Sequence, residues 1–181
     1  ILYKYAQTES SPRLTERLER LYEQFWGGTL DYTAQKQKYN QLMLGMENKI
    51  EQQIQAASDP MKACIKYVCA ANYIDFSAVD DVNENTLEEL LTRASGQDIQ
   101  EEEYVKFRKD LEKAHRLVYL TDNCGEIVID KLFIKQIKEN FPHLQMTAIV
   151  RGGDVINDAT MQDAKEVGLT EVVTCIGNGN A

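Results

Sequence analysis

This sequence of 181 residues has few histidines and cysteines, and fewer basic than acidic residues. It has two histidines and four cysteines, and no two cysteines are spaced as Cys-x-x-Cys. A structural zinc site of the Cys/His kind is therefore disfavoured. The 29 acidic residues outnumber the 20 Lys and Arg residues, and the net charge is -9. Nucleic acid and anionic membrane surfaces bind clustered positive charge, so neither is an expected partner.

Long apolar runs are also lacking. No stretch is apolar for long enough to span a bilayer, and no signal peptide is visible. Hydrophobic residues make up 43% of the chain, which is enough for a core without a disulfide framework, so we expect reduced thiols and a cytoplasmic protein. The sequence begins at Ile1 within an apparent helix and ends in the loop-like run 177–181. Both ends indicate a fragment of a longer protein.

The first 114 residues are predicted to form a helical subdomain. Apolar residues recur at helical spacing between Pro12 and Ala57, with a break at the glycine pair 27–28. Asp59 and Pro60 then signal a helix start, because Asp caps helices and Pro fits their first turn. Two further helices are predicted before the pattern changes, one over residues 85–91 and one over residues 101–114.

Short apolar runs alternate with helical patterns over residues 115–181. The run 117–121 predicts a buried parallel strand, and a second strand is predicted over 146–150. Between and after them lie an amphipathic helix and a helix capped by residue 157 or 158. A third strand is predicted over 171–176. This order predicts a doubly wound, Rossmann-like α/β unit with a parallel sheet and flanking helices, following the helical unit 1–114.

Polar residues suited to a metal ion and a phosphate follow the first two predicted strands. In an open α/β sheet, ligands bind beyond the carboxyl ends of the strands. Asp122, Asn123 and Asp158 offer the oxygen ligands that Mg²⁺ or Mn²⁺ prefer, with positions left for water and substrate. Gly125 begins a helix whose N–H groups suit phosphate oxygens, and Arg151 suits a bidentate phosphate contact.

Simpler interpretations of these residues stay open at this point. An Asp-Asn pair after a strand is commonly a turn with a helix cap, and Arg151 is equally consistent with a solvated side chain. Cys124 lies beside a helix start, where the pKa of a thiol can fall, but no histidine base accompanies it. No Gly-x-Gly-x-x-Gly follows the first strand and no Walker lysine motif is present, which disfavours dinucleotide and P-loop sites.

Three segments resemble the motifs of the damage-control phosphatase family, also known as domain of unknown function 89. The segment TDNCGEIVID, residues 121–130, is similar to the central motif of that family, and VRGGDVINDAT, residues 150–160, is similar to its second motif. The segment ANYIDF, residues 71–76, resembles its Gly-Asn-x-Ile-Asp element, with Ala71 in place of glycine. The resemblance extends over about residues 60–181 and is greatest to the stand-alone prokaryotic-type branch.

The resemblance implies a metal-dependent phosphatase that hydrolyses phosphate monoesters of small metabolites, such as sugar phosphates or damaged metabolites. It implies that a divalent metal, Mn, Co, Ni or Mg, is bound by Asp122, Asn123 and Asp158. Asn72 and Asp75, within the segment 71–76, would lie near this metal. The predicted catalytic residues are Asp122, Asp158 and Asp75, and the predicted substrate-binding residues are Asn72, Gly125, Glu126, Arg151 and Gly152.

Two other functions stay open alongside the phosphatase hypothesis. One is a carboxyl methyltransferase dependent on adenosylmethionine, an activity also attributed to part of this family, although no glycine-rich adenosylmethionine loop follows the first strand. The other is a non-catalytic module that binds a phosphorylated ligand. Phosphate release that depends on a divalent metal would distinguish a phosphatase from both the methyltransferase and the binding module. No oligomeric state is predicted.

Overall fold

The computed structural model describes residues 8, 11–28, 30–73, 84–96 and 98–179. The helices that precede the sheet in these ranges are α1 (Ser11–Trp26), α2 (Thr33–Ala56), α3 (Pro60–Tyr73), α4 (Glu84–Ser95) and α5 (Glu101–Lys113). The elements that follow are β1 (Arg116–Leu120), α6 (Glu126–Asn140), β2 (Gln145–Val150), α7 (Met161–Glu166), α8 (Leu169–Val172) and β3 (Thr174–Gly177).

The three strands form one parallel sheet in the order β1-β2-β3. The predicted fold class, a helical N-terminal part followed by a parallel sheet with flanking helices, is confirmed. Side chains from both parts, such as Ile50 of α2 and Ile134 of α6, belong to one continuous buried cluster. The division into units 1–114 and 115–181 stays a prediction.

The sheet has one covered face and one open face. Ala148 and Val150 of β2 are buried, whereas Val118 and Leu120 of β1 are 56% and 71% exposed. The prediction of a buried strand over 117–121 is therefore wrong on one face. Both connections run in the same direction across the sheet, and right-handed crossovers in one direction place their helices on the same side. A doubly wound sheet needs a reversal of direction, which this strand order lacks.

The helix after β2 begins later than its sequence pattern predicted. Its N-cap is Thr160, not Asn157 or Asp158. Thr160 forms a capping box with Asp163, whose Oδ2 accepts hydrogen bonds from the Thr160 backbone N and Oγ1 at 2.8 and 2.7 Å. Both residues predicted as caps remain in the loop, where the side chain of Asp158 pairs with Arg151.

The third strand is shorter than predicted. Residues up to Val172, within the expected strand 171–176, form the end of α8. Gly168 precedes α8 with φ of 75°, a left-handed conformation that glycine adopts without strain, and the chain turns there. Leu169 and Val173 are buried in this turn. Their apolar character therefore reports core packing and not strand pairing.

Helices α2 and α3 pack against α6, the helix that follows β1. Ile127, Ile129 and Ile134 of α6 have no exposed surface, and each such side chain stabilises the fold by about 1.5–3 kcal/mol. The start of α6, at the end of the sheet, is thereby held by the N-terminal helices as well as by the strands. In the ranges given above, no helix has both the length and the apolar character needed to cross a bilayer.

Candidate active site

Two polar loops leave the carboxyl ends of β1 and β2. The first loop, residues 121–125, leads into α6, and the second loop, residues 151–160, leads into α7. Thr121 N donates a hydrogen bond to Ile149 O at 3.0 Å, so the first loop starts as a continuation of the sheet ladder beside β2. The two loops therefore leave the sheet next to each other.

Backbone hydrogen bonds then join the loops. Ala159 N donates to Asp122 O at 2.7 Å, and Asn123 pairs with Asp158 in an isolated antiparallel bridge. Asp122, Asn123 and Asp158 are the three residues predicted as metal ligands. They come from segments separated by more than 30 residues in sequence, and the backbone holds them in one place.

Asn72, at the end of α3, contacts the first loop. Its Nδ2 donates to Asp122 Oδ2 and to Glu126 Oε2, both at 3.2 Å. Asn123 Nδ2 also approaches Glu126 Oε2, at 3.4 Å. Two predicted substrate-binding residues, Asn72 and Glu126, are thus adjacent to two predicted metal ligands. The predicted catalytic residue Asp75 lies outside the described residues.

Glu126 is the first residue of α6 and is almost fully buried, at 4% exposure. Burial raises the pKa of its carboxyl group; the hydrogen bond from Asn72 opposes the rise, and the charge of Asp122 adds to it. Burial of Glu126 beside the charge of Asp122 therefore favours the protonated form of its carboxyl group more than exposure to solvent would.

Asp158 is paired with Arg151 within the second loop. The guanidinium Nε and Nη2 atoms lie 2.6 and 2.5 Å from Asp158 Oδ2. Burial nevertheless raises the pKa of Asp158, and the charge of Asp122 adds to that rise against the opposing effect of Arg151. The two carboxylates are thus close enough to repel each other. Arg151, predicted as a phosphate contact, uses part of its donor capacity on Asp158.

The N–H groups of the two predicted phosphate-binding glycines are hydrogen-bonded within the protein. Gly125 N donates to Asn40 Oδ1 at 2.9 Å, and Gly125 has φ of 84°, which favours glycine at this position. Gly152 N donates to Asn178 Oδ1 at 2.9 Å. Because Asn178 follows β3, the loop after the third strand reaches the second loop, as expected for three loops at one end of a parallel sheet.

The donor atoms of the two loops fit a hard divalent cation in kind. They comprise two carboxylates and one amide, the oxygen ligands that Mg²⁺ and Mn²⁺ bind. A cation between Asp122 and Asp158 would remove their repulsion. Among the residues that the structure describes, no group of three or more His, Cys, Asp and Glu side chains is arranged to hold a metal ion. The amide oxygen of Asn123 would therefore be an essential ligand, with water or substrate completing the coordination.

Cys124 is not an activated nucleophile in this arrangement. Its side chain has no exposed surface, and burial raises the pKa of the thiol above its ordinary value. The neutral thiol therefore predominates at neutral pH, whereas a reactive cysteine needs the thiolate. The sequence position beside a helix start was the only feature in favour of that role.

Sequence reasoning missed the residues of the N-terminal helices that approach the site. Lys36 of α2 contacts Asp154 in the second loop, and Asn40 of α2 contacts Gly125 in the first. Glu19 of α1 is close enough to Asp158 for their charges to interact. One signal was present in the sequence. Lys36 and Asn40 share a helical face with the apolar residue Met43, and polar residues on a buried stripe need partners.

The family model of the damage-control phosphatase ARMT1-like domain matches residues 2–181. The chain belongs to this family. A damage-control phosphatase of Archaeoglobus fulgidus is 29% identical over 164 residues, which is 89% of this chain and 55% of the relative. A damage-control phosphatase of Pyrococcus horikoshii is 28% identical over 115 residues, which is 64% of this chain and 39% of the relative. The resemblance inferred from the three motifs is confirmed.

A solved structure shares the fold of this domain. The crystal structure of a family member from Pyrococcus horikoshii superposes with a TM-score of 0.76 at 24% sequence identity, over 92% of this chain and 56% of that chain. The likeness at this identity shows the fold. The chain spans about half the length of the curated relatives that it matches most extensively.

A buried acid lies beneath the first loop of the domain. Asp130 is 1% exposed, and its Oδ1 accepts a 2.6 Å hydrogen bond from the Tyr119 hydroxyl. Its Oδ2 is buried and has no hydrogen-bond partner among the described residues. Burial raises the pKa of Asp130 well above its ordinary value, and the charge of Glu126 adds to the rise. Asp130 is one turn of α6 away from Glu126.

Asp130→Asn should make the free energy of unfolding less sensitive to pH. A carboxyl group with a raised pKa in the folded state stabilises the fold below its unfolded pKa of about 3.9, and this stability is lost as pH rises through the folded pKa. The free energy of unfolding of the variant minus that of the wild type should rise by about 1–3 kcal/mol from pH 4 to pH 8, because the asparagine cannot ionise. Urea unfolding of both proteins at pH 4 and at pH 8 measures this difference.

The exposed substitution Asp110→Asn is the control and should show no such gain. If the free energies of unfolding of Asp130→Asn and the wild type differ by the same amount at both pH values, the pKa of Asp130 is not raised in the folded protein.

Proposed function

We propose that this domain carries the active site of a metal-dependent phosphatase that hydrolyses phosphate monoesters of small metabolites, such as sugar phosphates or damaged metabolites. The observation behind the proposal is the convergence of Asp122, Asn123 and Asp158 through backbone bonds between two strand-end loops. The family and the phosphatase names of its relatives support the reaction class. The net charge of -9 disfavours nucleic acid and anionic membrane surfaces as the partner.

The three proposed ligands would hold a divalent metal, Mn, Co, Ni or Mg. When bound, such an ion polarises a phosphate oxygen and activates water. Arg151 supports phosphate binding because a guanidinium has five N–H donors and its bonds to Asp158 use only part of them. Asn72 and Gly152 lie at the same loops and are further proposed contacts to substrate; at Gly152, substrate would replace the Asn178 oxygen to which its N–H donates. A cytoplasmic location belongs to the same proposal.

Hydrolysis of a phosphate monoester requires two proton movements. A water oxygen attacks phosphorus and loses a proton, the P–O bond to the metabolite breaks, and the leaving oxygen gains a proton. Glu126 and Gly125 border the proposed phosphate position, and the raised pKa of Glu126 suits it to hold a proton there. Asp158 or Asp75 is proposed to orient the attacking water.

Phosphate release tests this function. Full-length protein is incubated with p-nitrophenyl phosphate and a panel of sugar phosphates in Mn²⁺, Co²⁺, Ni²⁺ or Mg²⁺, and in parallel with EDTA. We expect release with at least one cation, no release with EDTA, and recovery when the cation is added back in excess. Absence of release from folded protein with all four cations would contradict the proposal. Ligand binding without turnover would then indicate a binding module, and methyl transfer from adenosylmethionine would indicate a methyltransferase.

A further inference from the structure

Asn40 of α2 connects the first loop to α7. It has no exposed surface, and its Oδ1 accepts the 2.9 Å hydrogen bond from Gly125 N, 85 residues away in sequence. Its Nδ2 donates to Asp163 Oδ1 at 3.0 Å and to Glu166 Oε2 at 3.3 Å, both in α7. One amide side chain therefore contacts the segment before α6 through its acceptor and the segment after the second loop through its donors.

Lys36 lies one helical turn before Asn40 and is 5% exposed. Its Nζ is 2.8 Å from Asp154 Oδ1, within the second loop, and 2.9 Å from Asp163 Oδ2. The same Asp163 oxygen accepts two hydrogen bonds from Thr160, at the end of that loop. Lys36 thus holds the second loop directly through Asp154 and indirectly through Asp163.

A purely structural explanation does not account for these two polar residues. Burying an amide and an ammonium group is costly, and apolar residues such as Met43 and Ile50 fill the rest of this face of α2 without that cost. The polar pair occurs at the part of α2 that faces the two loops. The bonded groups include a backbone N–H of the first loop and a carboxylate of the second, which apolar side chains cannot satisfy.

We propose that Asn40 and Lys36 are positioning residues that set the distance between the two candidate metal-binding loops. The proposal rests on the function proposed above, and it concerns residues that do not touch substrate or metal. Asn40 holds Gly125, two residues after Asn123, and Lys36 holds Asp154, four residues before Asp158. Small displacements of catalytic groups lower rates strongly, and loss of the residues that orient metal ligands typically lowers metal affinity about 10–100-fold.

Four variants of the full-length protein test the role of Asn40. Asn40→Ala removes both sets of bonds, and Asn40→Asp keeps the acceptor for Gly125 but places a carboxylate against Asp163. Asn48→Ala makes the same change at an exposed position of α2. Ile50→Val is a small core substitution on the same helix and controls for lost stability. The two readouts are hydrogen exchange of the loop peptides without metal, and Mn²⁺ affinity by titration calorimetry.

The two readouts separate the positioning role from the proposed function. We expect faster exchange of both loops and about 10–100-fold weaker Mn²⁺ binding in Asn40→Ala, and faster exchange mainly of the second loop in Asn40→Asp. Asn48→Ala and Ile50→Val should match the wild type within about twofold. Unchanged exchange in both Asn40 variants would overturn the positioning role. Changed exchange in a protein whose wild type binds no Mn²⁺ would support positioning and contradict the metal site.

Discussion

Asp122→Ala should lower kcat/KM for metal-dependent phosphate release by at least about 10²-fold and leave the fold intact. The side chain of Asp122 is exposed, and Asn72 Nδ2, at 3.2 Å, is its hydrogen-bond contact with α3. Its removal therefore costs little packing, and exposed substitutions usually change the free energy of unfolding by less than about 0.5 kcal/mol. Loss of one group that stabilises charge in the transition state typically costs about 10²–10³-fold in rate.

Steady-state kinetics with Mn²⁺ and urea unfolding measure the two effects separately. Asp110→Ala is the matched control, since it removes an exposed aspartate of α5 and makes the same change in net charge. The control should keep the wild-type rate. An Asp122→Ala enzyme that retains more than a tenth of the wild-type kcat/KM would remove Asp122 from the proposed metal site.

Lys36→Met should lower the free energy of unfolding by about 3–5 kcal/mol at neutral pH. Lys36 and Asp163 are buried, with side-chain exposures of 6% and 5%, and removal of one partner leaves the other charge buried without its counter-ion. Lys49→Met on the same helix is the control. Lys49 pairs with Glu88 in solvent, at side-chain exposures of 54% and 42%, and such pairs contribute at most about 1 kcal/mol.

The effect of Lys36→Met should also depend on pH. Burial opposes the shift, but the hydrogen bond from Lys36 lowers the pKa of Asp163 below its ordinary value. A carboxyl group with a lowered pKa stabilises the fold above its unfolded pKa of about 3.9, and that stability is lost as pH falls through the folded pKa. The gap between variant and wild type should therefore narrow in acid. Urea unfolding at neutral pH and near pH 3 measures it; a loss below 1 kcal/mol at neutral pH would contradict the role of the buried pair.

Local patterns in the sequence predicted most of the secondary structure of this domain. Helical spacing of apolar residues indicated α2 and α6, and two apolar runs indicated β1 and β2, because side-chain periodicity follows directly from backbone geometry. The motif around Asp122 and the motif around Asp158 predicted the family. Their positions after two parallel strands also predicted that they would meet at one end of the sheet, because parallel strands share their carboxyl ends.

Elements that depend on neighbouring segments were predicted less well. The apolar run of β1 predicted a buried strand, yet Val118 and Leu120 are mostly exposed, because the helices that the structure describes cover the other face of the sheet. The sequence predicts Asn157 or Asp158 as the cap of α7, whereas Thr160 has that role and Asp158 pairs with Arg151. In both cases a local signal was correct in kind, and a contact with another segment determined the outcome.

The sequence by itself determined the class of the fold, the family and the oxygen-rich residues of the two strand-end loops, because these follow from local periodicity and contiguous motifs. The tertiary structure alone decided that the Gly125 N–H bonds to Asn40 and that Lys36 holds Asp154 and Asp163. Those partners are 85 to 127 residues apart. Periodicity identifies which face of a helix is buried, but only packing of α2 against α6 determines which groups that face meets.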